Sequence, residues 1–509
     1  MRVPVPLRAD AYTIASDCLV SQNAKDGSIY NFTNRISPAK AWPEIAKDSR
    51  MVFWGLSRYI ADELSDPCTG EDIAESVEFM NRAHSFGGPL SFNPKIWERV
   101  LNEYNGFLPI TIEAPPEGST FFPFEPVIQV TGTNGFGEIA AHIEAIMVGR
   151  VSINIARATL TRHILERMNE WAAKDYPDVA DTYAIAQWMI HDFGMRASSN
   201  ATESEDLGLA HLLSFHGTDT FNAAYLAYKM GGKVCTGTSI LALAHRIVQG
   251  YDAEIDCFKN LYNQTLEEKN GIASYVSDCY NFKKAVREHL VNICKADGPT
   301  VVVRPDSGDF LQNDFLVLQT AVEQGLFKKD ASGRYIPTNM KIIQGDSMTP
   351  NKIDLLFKNR EFRGFAPTMW GIIGIGGYLR NNCTRDTLSS AYKLSAIRSE
   401  NKWRPVVKLS ETKGKLSVPG PNKVYRYDNH YRPTVYLESE FQPLGRQILQ
   451  TYYNNGVVKD LELFSVIQDR TISDFNDLAL QARHIDVKGC LSDNIRNIQE
   501  SFYNEHQSI

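Results

Sequence analysis

Between about residue 183 and residue 395, the chain repeats one order of segments: an apolar run, a short polar stretch, then an amphipathic stretch. The clearest example is VVVRPDSGDF at 301–310, where three valines run directly into Arg304. A continuous apolar run of this kind is typical of a strand covered on both faces, as in a parallel sheet. Pro305 has no backbone N–H, so we expect the strand to end there. The segment predicts a strand, a turn and a helix over DFLVLQTAVEQG.

Six further segments follow the same order, each ending on a polar or glycine-rich stretch. They are YAIAQWMI, LLSFHGTD, TGTSILALAH, GIASYVSD, MKIIQGDS and APTMWGIIGIGG. Strands that alternate with helices predict parallel βα units. Because reactive side chains follow one strand after another, we predict an α/β fold with an irregular (β/α) barrel whose C-terminal rim forms one site. A doubly wound sheet is the alternative, but it gathers ligand contacts at one switch point.

The two flanks of the chain have a different pattern. Residues 1–150 mix helical AESVEFMNRAHSF and PKIWERVLNEY with strand-like LPITIEAPPEG and EPVIQVTGT. Residues 396–509 contain strand-like PVVKLSE and PTVYLES. A chain of 509 residues is too long for one ordinary core. We therefore expect a barrel over 151–395 and one α+β subdomain built from 1–150 and 396–509.

Composition excludes several classes of protein. A formal net charge of −7 argues against a general nucleic-acid binder, so an anionic ligand must be held by local arginines and lysines. The eight cysteines (18, 68, 235, 257, 279, 294, 383 and 490) have neither CxxC nor metal-ligand spacing, which is typical of reduced thiols in a cytoplasmic protein. No apolar leader and no run of 18 apolar residues is present, so we expect no membrane segment.

Seven motifs occur in a fixed order along the chain: HDFGMR, HGTDT, SDCYN, RPDSGD, IIQGDS, GIGG followed by TRD, and YKLSAI. Each motif alone is weak, but the ordered set resembles the nicotinamide phosphoribosyltransferases and, one step further, the nicotinate phosphoribosyltransferases. The resemblance extends from DAY at 10–12 to about residue 420. It implies transfer of phosphoribosyl from phosphoribosyl pyrophosphate to nicotinamide, giving nicotinamide mononucleotide and pyrophosphate in NAD salvage. It also implies Mg²⁺ held mainly by substrate phosphates, and ATP that phosphorylates a histidine.

The resemblance assigns residues to the ribose and the phosphates. Asp306 and Asp346 match the carboxylates that bind the ribose hydroxyls, although turn formation would also explain them. Gly345 precedes the second of these aspartates in IIQGDS. The glycines Gly374, Gly376 and Gly377 follow an apolar strand, where backbone N–H groups can accept a phosphate, but a tight turn would use them equally well. Arg385 in TRD matches the family's phosphate-binding arginine.

A second set of residues is assigned to the pyridine ring and its amide. Arg304 matches the arginine beside the ring, which gives the opening VVVR segment a reason to end on a cation. Phe193 matches the aromatic on one face of the ring, and Tyr12 matches the tyrosine that a second subunit supplies to the other face. The resemblance therefore implies a homodimer with shared active sites. Ser274 matches the serine beside the amide.

Asp219 is the residue that we expect to discriminate between the two possible substrates, nicotinamide and nicotinate. A carboxylate can accept a hydrogen bond from a neutral carboxamide but would repel the carboxylate of nicotinate. The same residue could instead cap the helix that follows it. Nicotinamide is therefore the predicted substrate, and nicotinate is the alternative.

His245 matches the family's phosphorylated histidine, and Asp278 matches the carboxylate that orients it. The sequence departs from the family at Ala244, where a glutamate is usual, and at Ala391, where a serine is usual and Ser390 next door is a candidate substitute. The resemblance also assigns four basic residues to the pyrophosphate or the ATP γ-phosphate, the last three reaching in from the partner subunit: Arg196, Arg35, Lys393 and Lys408.

Two hypotheses that assign the chain to other classes of protein remain open. A catalytically silent relative would serve as a binding protein, but Asp306, Asp346 and Arg385 are all present. An unrelated aldolase-like barrel would need a buried lysine at a strand end, and none of the seven strand ends has one.

Overall fold

The computed structural model divides into two compact units. One comprises residues 160–382 and is called the barrel unit; the other comprises 1–159 with 383–509 and is called the flank unit. The described residues are 2–85, 88–231, 236–267, 271–295, 297–409, 416–427, 430–440, 445–479 and 490–507.

The strands are numbered here in chain order. They are β1 Gly27–Thr33, β2 Met51–Val52, β3 His84–Ser85, β4 Gly88–Pro89, β5 Ile110–Ala114, β6 Thr120–Phe121, β7 Ile128–Thr133, β8 Ile190–Asp192, β9 Gly217–Thr218, β10 Leu241–Ala242, β11 Ile272–Val276, β12 Thr300–Arg304, β13 Phe327–Lys329, β14 Tyr335–Pro337, β15 Met340–Gln344, β16 Gly371–Ile375, β17 Ala391–Ser399, β18 Lys402–Pro405, β19 Asn422–Tyr427, β20 His430–Leu437, β21 Arg446–Gln447, β22 Gln450–Asn454 and β23 Val457–Val458.

The barrel unit is built on a seven-stranded sheet in the order β10-β11-β12-β15-β16-β8-β9, and every neighbouring pair is parallel. Its two edges are joined through the segment 238–242. Thr238 forms a parallel bridge with Gly217 of β9, and Leu241 of β10 pairs with Ala273 of β11. The sheet is therefore curved and barrel-like, and the predicted α/β class with an irregular barrel is confirmed.

Side-chain alternation along these strands separates an outer face from an interior. Val301, Val303 and Ile342 belong to a buried cluster that also holds Val317 and Leu318 of a covering helix. The residues between them, such as Val302 and Lys341, point the other way because side chains alternate across a strand. The continuous apolar runs in the sequence arise because both faces of the sheet are covered.

The helices of the barrel unit are Tyr183–Ala186, Ala201–Leu212, Phe221–Met230, His245–Val248, Glu254–Glu267, Phe282–Lys284, Val291–Ile293, Phe310–Glu323, Pro350–Phe362 and Gly377–Asn381, with a π-helical stretch at Ala285–Leu290. Those of the flank unit are Ala11–Ala15, Gln22–Asp26, Pro38–Ala41, Leu56–Glu63, Gly70–Arg82, Pro94–Tyr104, Gly137–His142, Phe464–Asp477 and Asp493–Gln507. The helix Glu144–Asp175 contains the boundary between the units.

The flank unit contains an antiparallel sheet in the order β18-β17-β1-β7-β5-β22-β23. Three of its strands come from the N-terminal flank and four from the C-terminal part, so the expected α+β subdomain built from both flanks is present. The units change at residues 159 and 382, whereas the sequence placed its boundaries at 150 and 395. The strand Ala391–Ser399 pairs with Gly27–Thr33, and this pairing places it in the flank unit.

Two local predictions were wrong. YAIAQWMI begins with the helical turn Tyr183–Ala186, and its strand starts only at Ile190. In PVVKLSE the strand ends at Pro405, and 406–409 forms no strand. The described cysteines form no disulfide bond, and Cys235 lies outside the described residues. Within the described ranges, no helix combines the length and apolar character needed to cross a membrane.

Candidate active site

The ring of Phe193 lies over the carboxyl ends of two neighbouring strands, β15 and β16. A Cβ atom built on Gly345 would stand 3.2 Å from Cε2 of Phe193 and 3.7 Å from Oδ1 of Asp306. A Cβ on Gly374 would overlap the ring itself, and one on Gly376 would stand 2.9 Å from the Phe193 carbonyl oxygen. The glycines in and after these strands therefore make room for the aromatic ring and bring it close to the Asp306 carboxylate.

The loop that carries Phe193 is fixed by a buried ion pair that the sequence reasoning missed. Arg380 donates from Nη2 to Oδ2 of Asp192 at 2.9 Å, and both side chains are almost completely buried. Asp192 Oδ1 accepts from the Gly194 amide at 3.0 Å, and Arg380 Nε donates to Ser198 Oγ at 2.9 Å. The Asp192–Arg380 pair is thus bonded both to Gly194, directly after Phe193, and to Ser198, at the other end of the turn. Nothing in GYLRN at 377–381 signals that its arginine points inward.

Two interior side chains of the barrel unit keep polar atoms without partners among the described residues. Arg304 donates from Nη2 to the Leu243 carbonyl oxygen at 2.9 Å, but its buried Nε has no partner. The hydroxyl of Ser274 is also buried and unpaired. Because burying an unpaired donor costs free energy, the two groups are suited to hydrogen bonding a polar ligand.

Asp219 lies directly after β9, and its carboxylate is exposed. Oδ1 accepts from Ser239 Oγ at 2.5 Å, a partner that the sequence did not suggest. The helix that follows is preceded by Thr220 and has no side-chain capping bond, so Asp219 does not cap it. Near it, burial lowers the pKa of His191, an effect that the charges of Asp219 and Asp192 oppose. His191 is therefore a neutral neighbour of the carboxylate, also missed from sequence.

Beneath this edge, the interior of the barrel unit contains a partly open cavity of about 260 Å³. Its lining is mainly apolar and includes Trp188, His191, Val302 and Ile372. Lys341 also faces the cavity, and burial lowers the pKa of its amine. The cavity adjoins Ser239 and His191, the same two residues that lie beside Asp219.

His245 begins a short helix after β10 and makes the contact that the sequence predicted. Its Nε2 lies 3.1 Å from Oδ1 of Asp278, and its side chain is 41% exposed against 9% for the aspartate. A carboxylate only accepts, so Nε2 is the donor, and in the neutral imidazole Nδ1 is the nitrogen with a free lone pair. Oδ2 of Asp278 accepts from Ser307 Oγ at 2.5 Å. Ala244, which precedes the histidine, is the N-cap of the helix and offers no side-chain bond.

The remaining rim residues are open to solvent. Asp306 is exposed, and Asp346 is half-buried with Oδ1 accepting from Ser347 Oγ at 3.0 Å. Neither carboxylate pairs with a cation in the described part of the chain. Arg196 is exposed, in the turn after Phe193. Gly377 begins the helix that follows β16, with no obstruction closer than 3.8 Å to an added Cβ.

In the flank unit, Arg35 and Arg385 lie within electrostatic range of one another. Burial, and then the charge of Arg385, lower the pKa of the Arg35 guanidinium. The Nε and Nη2 atoms of Arg35 are buried and have no partner within the described ranges. Arg385 is half-exposed and, among the residues that the structure describes, forms an ion pair only with the neighbouring Asp386, at 3.0 Å. Two guanidinium groups so placed favour an anion between them.

The other predicted residues of the flank unit differ in their exposure to solvent. Lys393 donates to the Tyr392 carbonyl oxygen at 2.7 Å and pairs with Glu144 at 3.4 Å. Lys408 is exposed. Tyr12 is 71% exposed on the helix Ala11–Ala15. Ser390 is buried and accepts from Asn34 Nδ2 at 2.8 Å, so it does not replace the missing serine at 391 as an open ligand.

The fold and the rim together define an α/β protein whose polar site lies at the carboxyl ends of a parallel sheet. Residues 188–427 match the model of the nicotinate phosphoribosyltransferase (NAPRTase) family. This part of the chain is a domain of that family.

Relatives of known function match over most of the chain. A nicotinamide phosphoribosyltransferase of Xanthomonas campestris pv. campestris is 29% identical over 380 residues, which are 72% of this chain and 78% of the relative. One from Acinetobacter baylyi is 27% identical over 448 residues, which are 80% of this chain and 86% of the relative.

Solved structures share the fold. The crystal structure of human nicotinic acid phosphoribosyltransferase superimposes with a TM-score of 0.59 at 16% identity, covering 97% of this chain and 100% of that one. That of a nicotinate-nucleotide pyrophosphorylase from Pyrococcus furiosus also gives 0.59 at 16% identity, covering 94% and 96%. These structures bear out the predicted fold class.

Proposed function

We propose that this protein transfers the phosphoribosyl group of phosphoribosyl pyrophosphate to nicotinamide, giving nicotinamide mononucleotide and pyrophosphate in NAD salvage. One observation carries the proposal: the Phe193 ring and the Asp306 carboxylate meet at the backbone of Gly345. A flat apolar surface for a pyridine ring therefore lies beside a carboxylate for a ribose hydroxyl. The relatives named nicotinamide phosphoribosyltransferase support the same reaction.

The chemistry requires charges of both signs. Displacement of pyrophosphate gives the ribose oxocarbenium character and concentrates negative charge on the leaving group. Asp306 and Asp346 supply carboxylates for the ribose, and no described cation neutralises them. Arg196 supplies positive charge for the phosphates in the barrel unit, and the neighbouring Arg35 and Arg385 are a second cationic group, in the flank unit. Preorganised charges of this kind stabilise a transition state because they need little rearrangement.

Nicotinamide is favoured over nicotinate by the polar atoms around the ring. Oδ1 of Asp219 is bonded to Ser239, which leaves Oδ2 to accept from a carboxamide N–H. The unpaired Ser274 hydroxyl and Arg304 Nε can bond the amide and the ring edge. A nicotinate carboxylate would instead face the charge of Asp219. Nicotinate as the natural substrate is the second candidate function, and it is favoured by the family name.

An ATP-dependent step at His245 is the next part of the proposal. Asp278 holds the proton on Nε2, so the lone pair of Nδ1 attacks the γ-phosphorus of ATP. The bond to the ADP oxygen breaks as the N–P bond forms, and water later hydrolyses the phosphohistidine to orthophosphate. The test is ³²P from γ-labelled ATP: an acid-labile, base-stable label is expected on the wild type and not on His245→Ala. Label that persists in the variant would contradict the assignment.

Mg²⁺ belongs to the proposal as a companion of the substrate phosphates. The exposed carboxylate of Asp306 and the half-buried one of Asp346 are ligands that Mg²⁺ accepts, and neither is ion-paired within the described residues. When bound, the ion would neutralise charge on the leaving pyrophosphate. The protein residues position the ribose and the ring around it.

A homodimer and a cytoplasmic location complete the proposal. Tyr12 is exposed on its short helix, which suits a residue that stacks in the site of a second copy. Cysteines that form no disulfide bond within the described residues suit a reducing compartment.

The transfer reaction has a direct test. The purified protein is incubated with phosphoribosyl pyrophosphate, Mg²⁺ and nicotinamide, and the product is identified by mass. Nicotinamide mononucleotide is expected from the wild type, and a strongly reduced yield from Asp306→Ala. The absence of a mononucleotide product in the wild type, with the protein folded, would contradict the proposed function.

A further inference from the structure

Ser307 lies in the turn between β12 and the helix Phe310–Glu323, immediately after Asp306. Its hydroxyl donates to Oδ2 of Asp278 at 2.5 Å, while Oδ1 of the same carboxylate lies 3.1 Å from Nε2 of His245. One aspartate thus bridges the histidine and the turn that carries the ribose carboxylate. The sequence motif RPDSGD contains this serine, but neither the chemistry of the ribose nor that of the ring uses it.

We propose that Ser307 is a positioning residue that couples the phosphorylation of His245 to the ribose-binding turn at Asp306. The inference deepens the proposed function and rests on it. In this arrangement Ser307 touches neither ATP nor the ribose. It acts through Asp278 on one side and through the backbone of the turn on the other.

The effect on His245 follows from the geometry of the bridging carboxylate. The Asp278 side chain is only 9% exposed, so its orientation is set mainly by its protein partners, of which Ser307 lies on the exposed side. A hydrogen bond to an ionised carboxylate is stronger than one between neutral groups, and it fixes the rotation of the carboxylate. With Oδ2 held by Ser307, Oδ1 faces His245 and keeps the proton on Nε2. Without Ser307 the carboxylate can turn, and the reactive tautomer is less populated.

The effect on the ribose side follows from how the turn is built. The Ser307 carbonyl oxygen accepts from Asn313 Nδ2 at 2.8 Å, and Asp309 caps the following helix through the Gln312 amide at 2.8 Å. Gly308 has φ +85°, a conformation that favours glycine. The turn is therefore rigidly attached to its helix, and the Ser307 hydroxyl ties it to Asp278. A shift of Asp278 on phosphorylation of His245 is passed to Asp306, one residue away.

The phosphoryl transfer in this inference is the same as in the proposed ATP-dependent step. The γ-phosphoryl group moves from ADP oxygen to Nδ1 of His245, and water later takes it to give orthophosphate. Ser307 gains and loses no group in this cycle. Its hydroxyl proton stays on Oγ and is shared with Asp278. The coupling therefore needs no further reactant.

The variant Ser307→Ala tests the inference. Two quantities are measured: the ratio of the rate with ATP to the rate without ATP, and the KM for phosphoribosyl pyrophosphate under both conditions. We expect the ATP stimulation to fall by about 10-fold, since a hydrogen bond to a charged group is lost. We expect a smaller change in the ATP-independent rate.

Controls separate coupling from a general structural effect. Ser332→Ala removes a similar bond, from Ser332 Oγ to Asp330 Oδ1 at 2.7 Å, in an exposed turn of the same unit. It should leave the ratio unchanged. Ser307→Thr keeps the hydroxyl and should restore most of the stimulation. In His245→Ala, adding Ser307→Ala should not raise the KM further, because a residue that acts through His245 has no additional effect once the histidine is gone.

The outcomes distinguish this inference from the proposed function. ³²P labelling is measured without nicotinamide, so it reports on His245 whether or not transfer occurs. Equal losses with and without ATP in Ser307→Ala, or additive KM effects in the double variant, would overturn the coupling and leave the transferase intact. Unchanged stimulation in Ser307→Ala would overturn it as well. A wild type that labels His245 but makes no mononucleotide would overturn the proposed function instead.

Discussion

The ring of Phe193 occupies the space that a side chain at residue 374 would fill, so the glycine at that position is a condition for the aromatic platform. Gly374 lies on β16, beside Phe193 at the end of β8, and the Phe193 amide donates to the Ile375 carbonyl oxygen at 3.0 Å. The position of the Phe193 ring is therefore fixed by the backbone of the sheet.

Gly374→Ala should displace the Phe193 ring and lower kcat/KM for nicotinamide by about 100-fold, since a shift of about 1 Å in a positioning group costs that much. The matched control is Gly149→Ala in the helix Glu144–Asp175, where an added Cβ meets nothing within 4 Å. Both variants are assayed by mononucleotide formation. Near-normal activity in Gly374→Ala would mean that Phe193 does not support the ring.

Asp219→Asn should weaken the preference for nicotinamide, because the charge that repels nicotinate is gone. Sites built around a specific polar pair discriminate by roughly 10⁴-fold, so we expect the nicotinamide-to-nicotinate ratio of kcat/KM to fall by at least ~10-fold. Asp309→Asn is the control, since asparagine also caps a helix and the Asp309 side chain accepts from the Gln312 amide of its own helix. An unchanged ratio in Asp219→Asn would remove this residue from substrate selection.

The sequence allowed the sheet to be predicted well where the apolar runs were short and ended on a turn. VVVR and MKIIQ became β12 and β15 because both faces of those strands are buried. YAIAQWMI was read as one strand, yet its first half is a helical turn. An apolar run of eight residues does not by itself separate helix from strand, and here the Gln187 carbonyl oxygen is taken by the His216 amide at 3.0 Å.

The site was less predictable than the sheet. His245 and Asp278 are 33 residues apart, and their contact was anticipated only through the family resemblance. The Asp192–Arg380 pair spans 188 residues and has no local signal, since an arginine in a short helix is ordinarily solvated. Contacts of this kind depend on which strand ends are neighbours in the sheet. They cannot be predicted from the sequence before the order of the strands is known.

Mixing two inactive variants tests the shared active site. Tyr12→Ala and Asp306→Ala should each be nearly inactive, because one removes the stacking ring and the other the ribose carboxylate. Refolded together, they should regain activity, since some heterodimers contain one site with both residues intact. The measurement is mononucleotide formation by the mixture, with heterodimer formation verified by differently tagged chains. Proven heterodimers without activity would place Tyr12 outside the partner's site.

Acid should loosen the flank unit at His142. Burial lowers the pKa of this histidine to about 4, while its Nε2 lies 3.0 Å from the Val5 carbonyl oxygen. The folded state therefore binds a proton only below about pH 4, and the unfolded state already at about 6.5. The free energy of unfolding therefore decreases as the pH falls through about 6.5. The decrease between pH 7 and pH 5 is about 2 kcal/mol.

The check is amide hydrogen exchange over Gly137–His142 at pH 7 and pH 5, corrected for intrinsic rates. His142→Gln keeps a donor for Val5 but does not titrate, so its protection should change less with pH than that of the wild type. The exposed His506→Gln is the control and should behave as the wild type. The same pH dependence in all three proteins would exclude His142 as its source.

The central claim is that the rim of the barrel unit transfers phosphoribosyl to nicotinamide. The most direct measurement is kcat/KM of the wild-type protein for nicotinamide and for nicotinate, with phosphoribosyl pyrophosphate and Mg²⁺, in the presence and absence of ATP. We expect nicotinamide mononucleotide as the product, with nicotinamide preferred by more than ~10³-fold and turnover that persists without ATP. Preferred conversion of nicotinate, or conversion of neither, would contradict the account.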